Sequence, residues 1–136
     1  FSETFGQLIG SVGEELFFRS FLFYLVLESL RPLRIELLSR VLMSSLITSL
    51  LFGLAHYTNE HATLLSTANL AVDGLMLMIP FLITGRLGMS IGIHFAWNLL
   101  QGGVFGAGVS GNLAKVSFMQ IVTPDNLKSG VSKACR

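Results

Sequence analysis

The sequence predicts an all-α, polytopic membrane protein, a bundle of about four transmembrane helices with a site inside the bundle. Hydrophobic residues make up 51% of the 136 positions and charged residues only 12%, whereas soluble domains carry about 25% charged residues. The mean hydropathy is +0.67. Long apolar segments also recur along the chain, and each has room for the ~20 residues that cross a bilayer as a helix.

Four apolar segments have this length. The first ends at Arg31-Pro32, because proline interrupts a helix and arginine prefers the lipid headgroups. The second is rich in serine and threonine, small side chains that let neighbouring helices approach closely in lipid. In chain order, the segments are Phe5–Leu30, Leu37–Tyr57, Leu64–Thr84 and Met89–Val109.

The segments predict a membrane core over residues 1–110 and a polar, partly disordered tail over residues 111–136, in which Val116–Val122 forms a short helix or strand. The chain begins with Phe1 and shows no signal-peptide pattern, so we interpret it as a piece of a longer membrane protein. Nine basic and eight acidic residues leave no basic stripe, which argues against nucleic acid and leaves membrane lipids as the expected surroundings. The single cysteine, Cys135, excludes an internal disulfide.

Ionisable residues interrupt the first segment at Glu14, Glu15 and Arg19. A charge at bilayer depth is costly, so such residues mark a functional site by default. Glu15 and Arg19 are four residues apart and share one helix face, where they can form an ion pair. Glu14 is rotated by about 100° from Glu15 and stays free for chemistry. A static buried network of all three residues is the competing structural interpretation.

Two histidines and an asparagine lie in the later segments. His56, one helical turn after Phe52, is either an interfacial hydrogen-bonding group or a catalyst. His94 and Asn98 share a helix face, where two donors either stabilise an oxyanion or clamp neighbouring helices together. At ~1.5 Å per residue, Glu14 lies about 25 Å from Arg31 and His56 about 24 Å from Arg40, so the two are level. His94 reaches that depth only if the fourth helix tilts or its entry dips into the bundle.

Three motifs on successive apolar segments resemble, in their order, those of the CPBP family, which comprises CAAX prenyl endopeptidases and bacteriocin-processing or self-immunity (Abi) proteins. They are Glu14-Glu15-x-x-x-Arg19, Phe52-x-x-x-His56 and His94-x-x-x-Asn98. The resemblance covers about Phe5 to Gln101. It implies a multi-pass protein of a prokaryotic plasma membrane that cleaves a membrane-associated peptide or protein.

The resemblance further implies a glutamate-type intramembrane endopeptidase without a cofactor, in a class also labelled metalloendopeptidase. In such an enzyme Glu14 would be the general base and would activate a water together with His56. His94 and Asn98 would stabilise the oxyanion. Glu15 and Arg19 would hold the geometry of the first helix.

Other functions stay open. Glu14, His56 and His94 form a donor set that would hold Zn²⁺ with an open fourth position, although a His-Glu-x-x-His helix is absent from the sequence. Without enzymatic activity, the buried groups would form a proton or ion path, or the bundle would bind a bacteriocin-like peptide and confer immunity without cutting it. Asp73 and Asn69, four residues apart on the third segment, are interpreted as structural hydrogen-bonding residues.

Overall fold

The computed structural model describes residues 2–110 and 118, which are mostly helical and contain no β-strand. The predicted all-α class is therefore confirmed for these residues. The tail over residues 111–136, with the element predicted at Val116–Val122, lies outside them except for residue 118. The helical elements are α1 (Ser2–Glu15), π1 (Leu16–Leu22), α2 (Phe23–Ser29), a 3₁₀ turn (Arg31–Leu33), α3 (Leu37–Ala55), α4 (Leu64–Thr84), α5 (Leu87–Asn98) and π2 (Leu99–Val104).

Most of these bounds agree with the segments predicted from hydropathy. α1, π1 and α2 follow one another without a gap and cover the first segment, and α4 has the predicted bounds. The fourth segment was predicted too long, because its helical path ends at Val104 and not at Val109. Glycines after Gln101 have a high conformational entropy that opposes a helix, and the chain turns at Gly106 with a φ of +64°.

α3 and α4 are long and apolar enough to cross a membrane. Along α3, the leucines lie outside and the small polar side chains lie inside with Phe52, largely the reverse of a helix in a soluble protein. The buried Thr48 hydroxyl donates a hydrogen bond to the Ser44 carbonyl at 2.8 Å, so it has its hydrogen-bond partner within its own helix. The exposed leucines recur at four-residue spacing, Leu38, Leu42, Leu46, Leu50 and Leu54, and the buried polar residues are Ser44, Ser45, Thr48 and Ser49.

Two glycines allow α3 and α4 to pack closely. A Cβ atom on Gly53 would lie 2.6 Å from the Thr67 carbonyl oxygen, and one on Gly74 would lie 3.1 Å from the Ser49 Cα atom. Neither position has room for a side chain unless the helices move apart. Small residues therefore set the distance between the two helices, as is typical of packing in lipid.

Apolar packing against α4 holds α2, at the end of the first helical path away from the α1–π1 junction. Phe23 and Leu27 pack against Met78 and Phe81 of α4. The Arg40 guanidinium of α3 also donates to the Leu27 carbonyl, at 2.8 Å from Nη2 and 3.3 Å from Nε. These contacts fix the far end of the first helical path, and its α1–π1 junction contacts α3 and α5.

Candidate active site

Two imidazoles converge on the carboxylate of Glu14. The Glu14 Oε2 atom lies 3.8 Å from His56 Nε2 and 3.6 Å from His94 Nε2. Glu14 is next to the end of α1, His56 directly follows α3, and His94 lies on α5. Both histidines are buried, whereas the Glu14 side chain is 35% exposed. Residues from three helices thus surround one carboxylate oxygen, and that carboxylate keeps an open side.

Each imidazole is oriented through its Nδ1 atom. His56 Nδ1 donates to the Phe52 carbonyl at 2.8 Å. Because a carbonyl only accepts hydrogen bonds, the proton is on Nδ1, and a neutral His56 presents the lone pair of Nε2 to Glu14. His94 Nδ1 donates to Glu15 Oε1 at 2.8 Å. His94 is therefore a donor from Nε2 only when both of its nitrogens carry a proton.

Glu15 and Arg19 form the buried centre that joins the helices. Their side chains are 0% and 1% exposed, and Arg19 Nε lies 3.2 Å from Glu15 Oε2. The Arg19 Nη2 atom donates to the Gly74 carbonyl of α4 at 3.2 Å, and the guanidinium carbon lies 4.5 Å from the centre of the Phe52 ring of α3. Since Glu15 also accepts from His94, the predicted Glu15–Arg19 pair is present and connects π1 to three other helices.

A π-helical turn begins directly after a site residue on two of the three helical paths that carry the site. π1 begins after Glu15, and π2 begins after Asn98. Such wide turns, with backbone hydrogen bonds between residues five apart, change the direction of the neighbouring side chains and are frequent at functional sites. In π1 they accompany the burial of Phe18 and Arg19. No pattern in the sequence predicts either turn.

A cavity of about 230 Å³ lies between α4 and α5 beside His94. One end is formed by Gly108 and Ser110, whose carbonyls accept from the side chains of Gln101, at 2.6 Å, and Asn59. Glu14 and His56 are outside the lining, so the cavity meets the cluster at His94 and Phe52. Its apolar wall is made by Leu70, Met76, Leu77, Ile93 and Trp97, and its polar wall by Ser66, Asn69, Asp73, Asn98 and Gln101.

The structure connects all the candidate site residues predicted from the sequence except one. Asn98 lies one helical turn after His94, on the cavity side of α5. The others form one continuous set of contacts, Glu14, Glu15, Arg19, His56 and His94. The contact between Glu15 and His94 was not predicted, and it gives Glu15 a second role as the residue that orients an imidazole.

Three further residues contribute to this region. The hydroxyl of Ser90, which is fully buried, donates to the Leu77 carbonyl at 2.9 Å and fixes α5 on α4 one turn before His94. The only sequence signal for Ser90 was its four-residue spacing from His94. That signal was not specific, because hydroxyl side chains are common in apolar helices. Asn69 and Asp73, interpreted from the sequence as structural, both line the cavity.

Among residues 2–110 and 118, no group of three or more His, Cys, Asp or Glu side chains is arranged to hold a metal ion. The zinc set of Glu14, His56 and His94 considered from the sequence therefore gains no geometric support. The Nε2 atoms of His56 and His94 both face Glu14 Oε2, a buried oxygen that has no hydrogen-bond partner among the described residues.

Comparison with known proteins agrees with the motifs. The family model described as "Type II CAAX prenyl endopeptidase Rce1-like" matches residues 4–100. These residues include all but the start of α1 and continue through α5, and they contain every residue of the cluster. No curated protein and no solved structure matches the chain.

Proposed function

We propose that this chain, which belongs to the Rce1-like family of type II CAAX prenyl endopeptidases, hydrolyses a peptide bond of a membrane-associated protein or peptide. The observation that carries the proposal is the convergence of His56 and His94 on the Glu14 carboxylate. Family membership and the two apolar helices make the chain part of an integral membrane protein. We place the cluster within a multi-pass bundle of four spans, in a prokaryotic plasma membrane.

Glu14 and His56 are positioned to activate one water molecule. The neutral His56 presents a lone pair at Nε2, and Glu14 Oε2, a buried acceptor without a hydrogen-bond partner among the described residues, lies 3.8 Å away. A water that donates to both acceptors would satisfy them. As the water oxygen bonds to the substrate carbonyl carbon, its proton passes to this pair. The same proton is then delivered to the leaving amine when the C–N bond breaks.

His94 and Asn98 would stabilise the oxyanion formed by that attack. Asn98 supplies an amide donor next to the cavity. Because Nδ1 of His94 already donates to Glu15, His94 contributes from Nε2 as an imidazolium. A negatively charged Glu15 beside the ring suits this doubly protonated form, and Arg19 holds Glu15 in place. Donors fixed in advance toward developing charge are worth about 10²–10³-fold in rate each.

The proposal is tested by cleavage in proteoliposomes. The unaltered protein, Glu14→Gln and His56→Ala are incubated with a library of synthetic peptides, half of them farnesylated at a C-terminal cysteine motif, and new termini are identified by mass spectrometry. We expect cleavage by the unaltered protein and a loss of about 10²–10⁴-fold in each variant. Full cleavage by both variants, or none by the unaltered protein, would refute the proposal. A preference for the farnesylated half would assign the substrate class that the family description names.

A zinc-dependent version is the alternative raised by the two anchored imidazoles, since histidines that bind metals are oriented through their other ring nitrogen in the same way. Because the described donors are not arranged as a metal site, we derive no catalytic step from zinc. Stoichiometric zinc in the purified protein, together with cleavage that stops on chelation, would favour this alternative.

A non-catalytic alternative is that the bundle binds a bacteriocin-like peptide. If cells that express Glu14→Gln are still immune to such a peptide, binding without cleavage explains their protection.

A further inference from the structure

The cavity between α4 and α5 contains a carboxylate that the proposed mechanism does not use. Asp73 lies midway along α4, in the apolar stretch that is able to cross a membrane. None of the ion pairs among the described residues includes it. An ionisable residue at such a depth is costly and marks a functional site by default.

The other lining residues make the cavity a suitable place for a peptide segment. Leu70, Ile93 and Trp97 offer apolar surface, and the amides of Asn69 and Asn98 offer donors and acceptors to a peptide backbone. At about 230 Å³ the cavity is below the ~300–1,000 Å³ of typical small-molecule pockets. The cavity therefore has room for a few side chains of a bound peptide, not for a whole drug-sized ligand.

The charges around the cavity are unbalanced. Asp73 is the only carboxylate among the lining residues, and neither lysine nor arginine is among them. The nearest arginine of the site, Arg19, is already committed to Glu15 and the Gly74 carbonyl. His94 also lines the cavity and acts electrostatically on Asp73, but its ring is bonded to Glu15. With His94 as an imidazolium, the charges of Glu14, Glu15, Arg19 and His94 sum to zero, and the charge of Asp73 is left over. An additional positive charge is therefore the complement that the cavity lacks.

We propose that Asp73 selects substrates with a basic side chain, lysine or arginine, close to the scissile bond. The inference rests on the proposed peptidase function, because it assigns a specificity determinant to that same site. The basic group pairs with Asp73 while neighbouring apolar side chains lie on the Trp97 side of the cavity. Because His94 and Asn98 also line the cavity, a segment bound there presents its carbonyl to the oxyanion donors.

The test measures binding, so that it does not depend on cleavage. Glu14→Gln protein in detergent is titrated into fluorescein-labelled, leucine- and alanine-rich decapeptides that differ only in a central Lys, Gln or Glu, and fluorescence anisotropy is recorded. We expect the Lys peptide to bind about tenfold more tightly than the Gln peptide and the Glu peptide to bind most weakly. In Glu14→Gln/Asp73→Asn the Lys preference disappears. In Glu14→Gln/Glu60→Gln, which removes an exposed carboxylate outside the cavity, it remains.

Each outcome decides the matter. Equal binding of the Lys and Gln peptides, absence of binding by all three, or an unchanged Lys preference after Asp73→Asn overturns the inference. The comparison of peptides uses a single protein, so it stands even if Asp73→Asn does not fold. Lys-selective binding by Glu14→Gln, together with no cleavage of any peptide by the unaltered protein, would refute the peptidase function and leave Asp73 as a determinant of ligand binding.

Discussion

Replacing Arg19 by Gln tests the ion pair that joins the helices. The side chain is 1% exposed and lies 3.2 Å from Glu15, and it also donates to the Gly74 carbonyl and covers the Phe52 ring. Removing one partner of a buried pair costs about 3–5 kcal/mol, and in Arg19→Gln the buried Glu15 carboxylate keeps only its contact with His94. At 1.4 kcal/mol per factor of ten, a loss of ~4 kcal/mol shifts the unfolding equilibrium by almost a thousandfold.

The assay is equilibrium unfolding in mixed detergent micelles with increasing sodium dodecyl sulfate. Trp97 is the only tryptophan of the chain and lines the cavity, so its fluorescence reports the packing of α5. Arg31→Gln is the matched control, since Arg31 pairs with Glu28 at 3.4 Å but the side chains are 74% and 60% exposed. Such surface pairs contribute about 0–1 kcal/mol.

The double variant Glu15→Gln/Arg19→Gln sharpens the test. If the two residues act as a pair, the free energy lost by the double variant is less than the sum of the two single losses, because no charge is left alone. The reasoning is refuted if Arg19→Gln costs no more than Arg31→Gln. It is refuted equally by single losses that add without any coupling.

Three other expectations follow from the geometry. Gly53→Ala places a Cβ atom 2.6 Å from the Thr67 carbonyl oxygen and lowers the unfolding free energy by about 1–3 kcal/mol. In the control Gly92→Ala, the added Cβ meets nothing within 4 Å, so the unfolding free energy is unchanged or higher. The same unfolding assay measures both variants. Asn98→Ala lowers kcat on a cleaved library peptide by about 10²–10³-fold without changing the unfolding curve, and an unaltered kcat would remove Asn98 from the oxyanion site. Dialysis against a chelator leaves peptide cleavage unchanged, and a loss that added zinc restores would establish the metal-dependent alternative.

Features that depend on local periodicity were predictable from the sequence. The bounds of α4 follow from hydropathy and from Gly85, where the backbone turns left-handed with a φ of +65°. The pairing of Glu15 with Arg19 follows from their spacing on one helix face. Both depend only on residues that are neighbours along the chain.

Features that depend on how the helices pack were not predictable. Counting residues from the flanking arginine put His94 at about 12 Å, well short of the level of Glu14 at about 25 Å. In the structure His94 nevertheless lies 3.6 Å from Glu14 Oε2 and hydrogen-bonds Glu15. A rise per residue says nothing about the tilt of α5 or about the Ser90 hydrogen bond that seats it on α4. The π turns after Glu15 and Asn98 likewise have no local signature.

In the proposed mechanism, Glu14 and His56 act together on one water molecule. A double-mutant cycle on kcat/KM tests it directly, with Glu14→Gln, His56→Ala and the double variant assayed on the best-cleaved library peptide. Residues that act as a unit have strongly non-additive effects. We expect each single variant to lose about 10²–10⁴-fold and the double variant to lose no more than the worse of the two. A double variant whose loss is the product of the single losses would contradict the account.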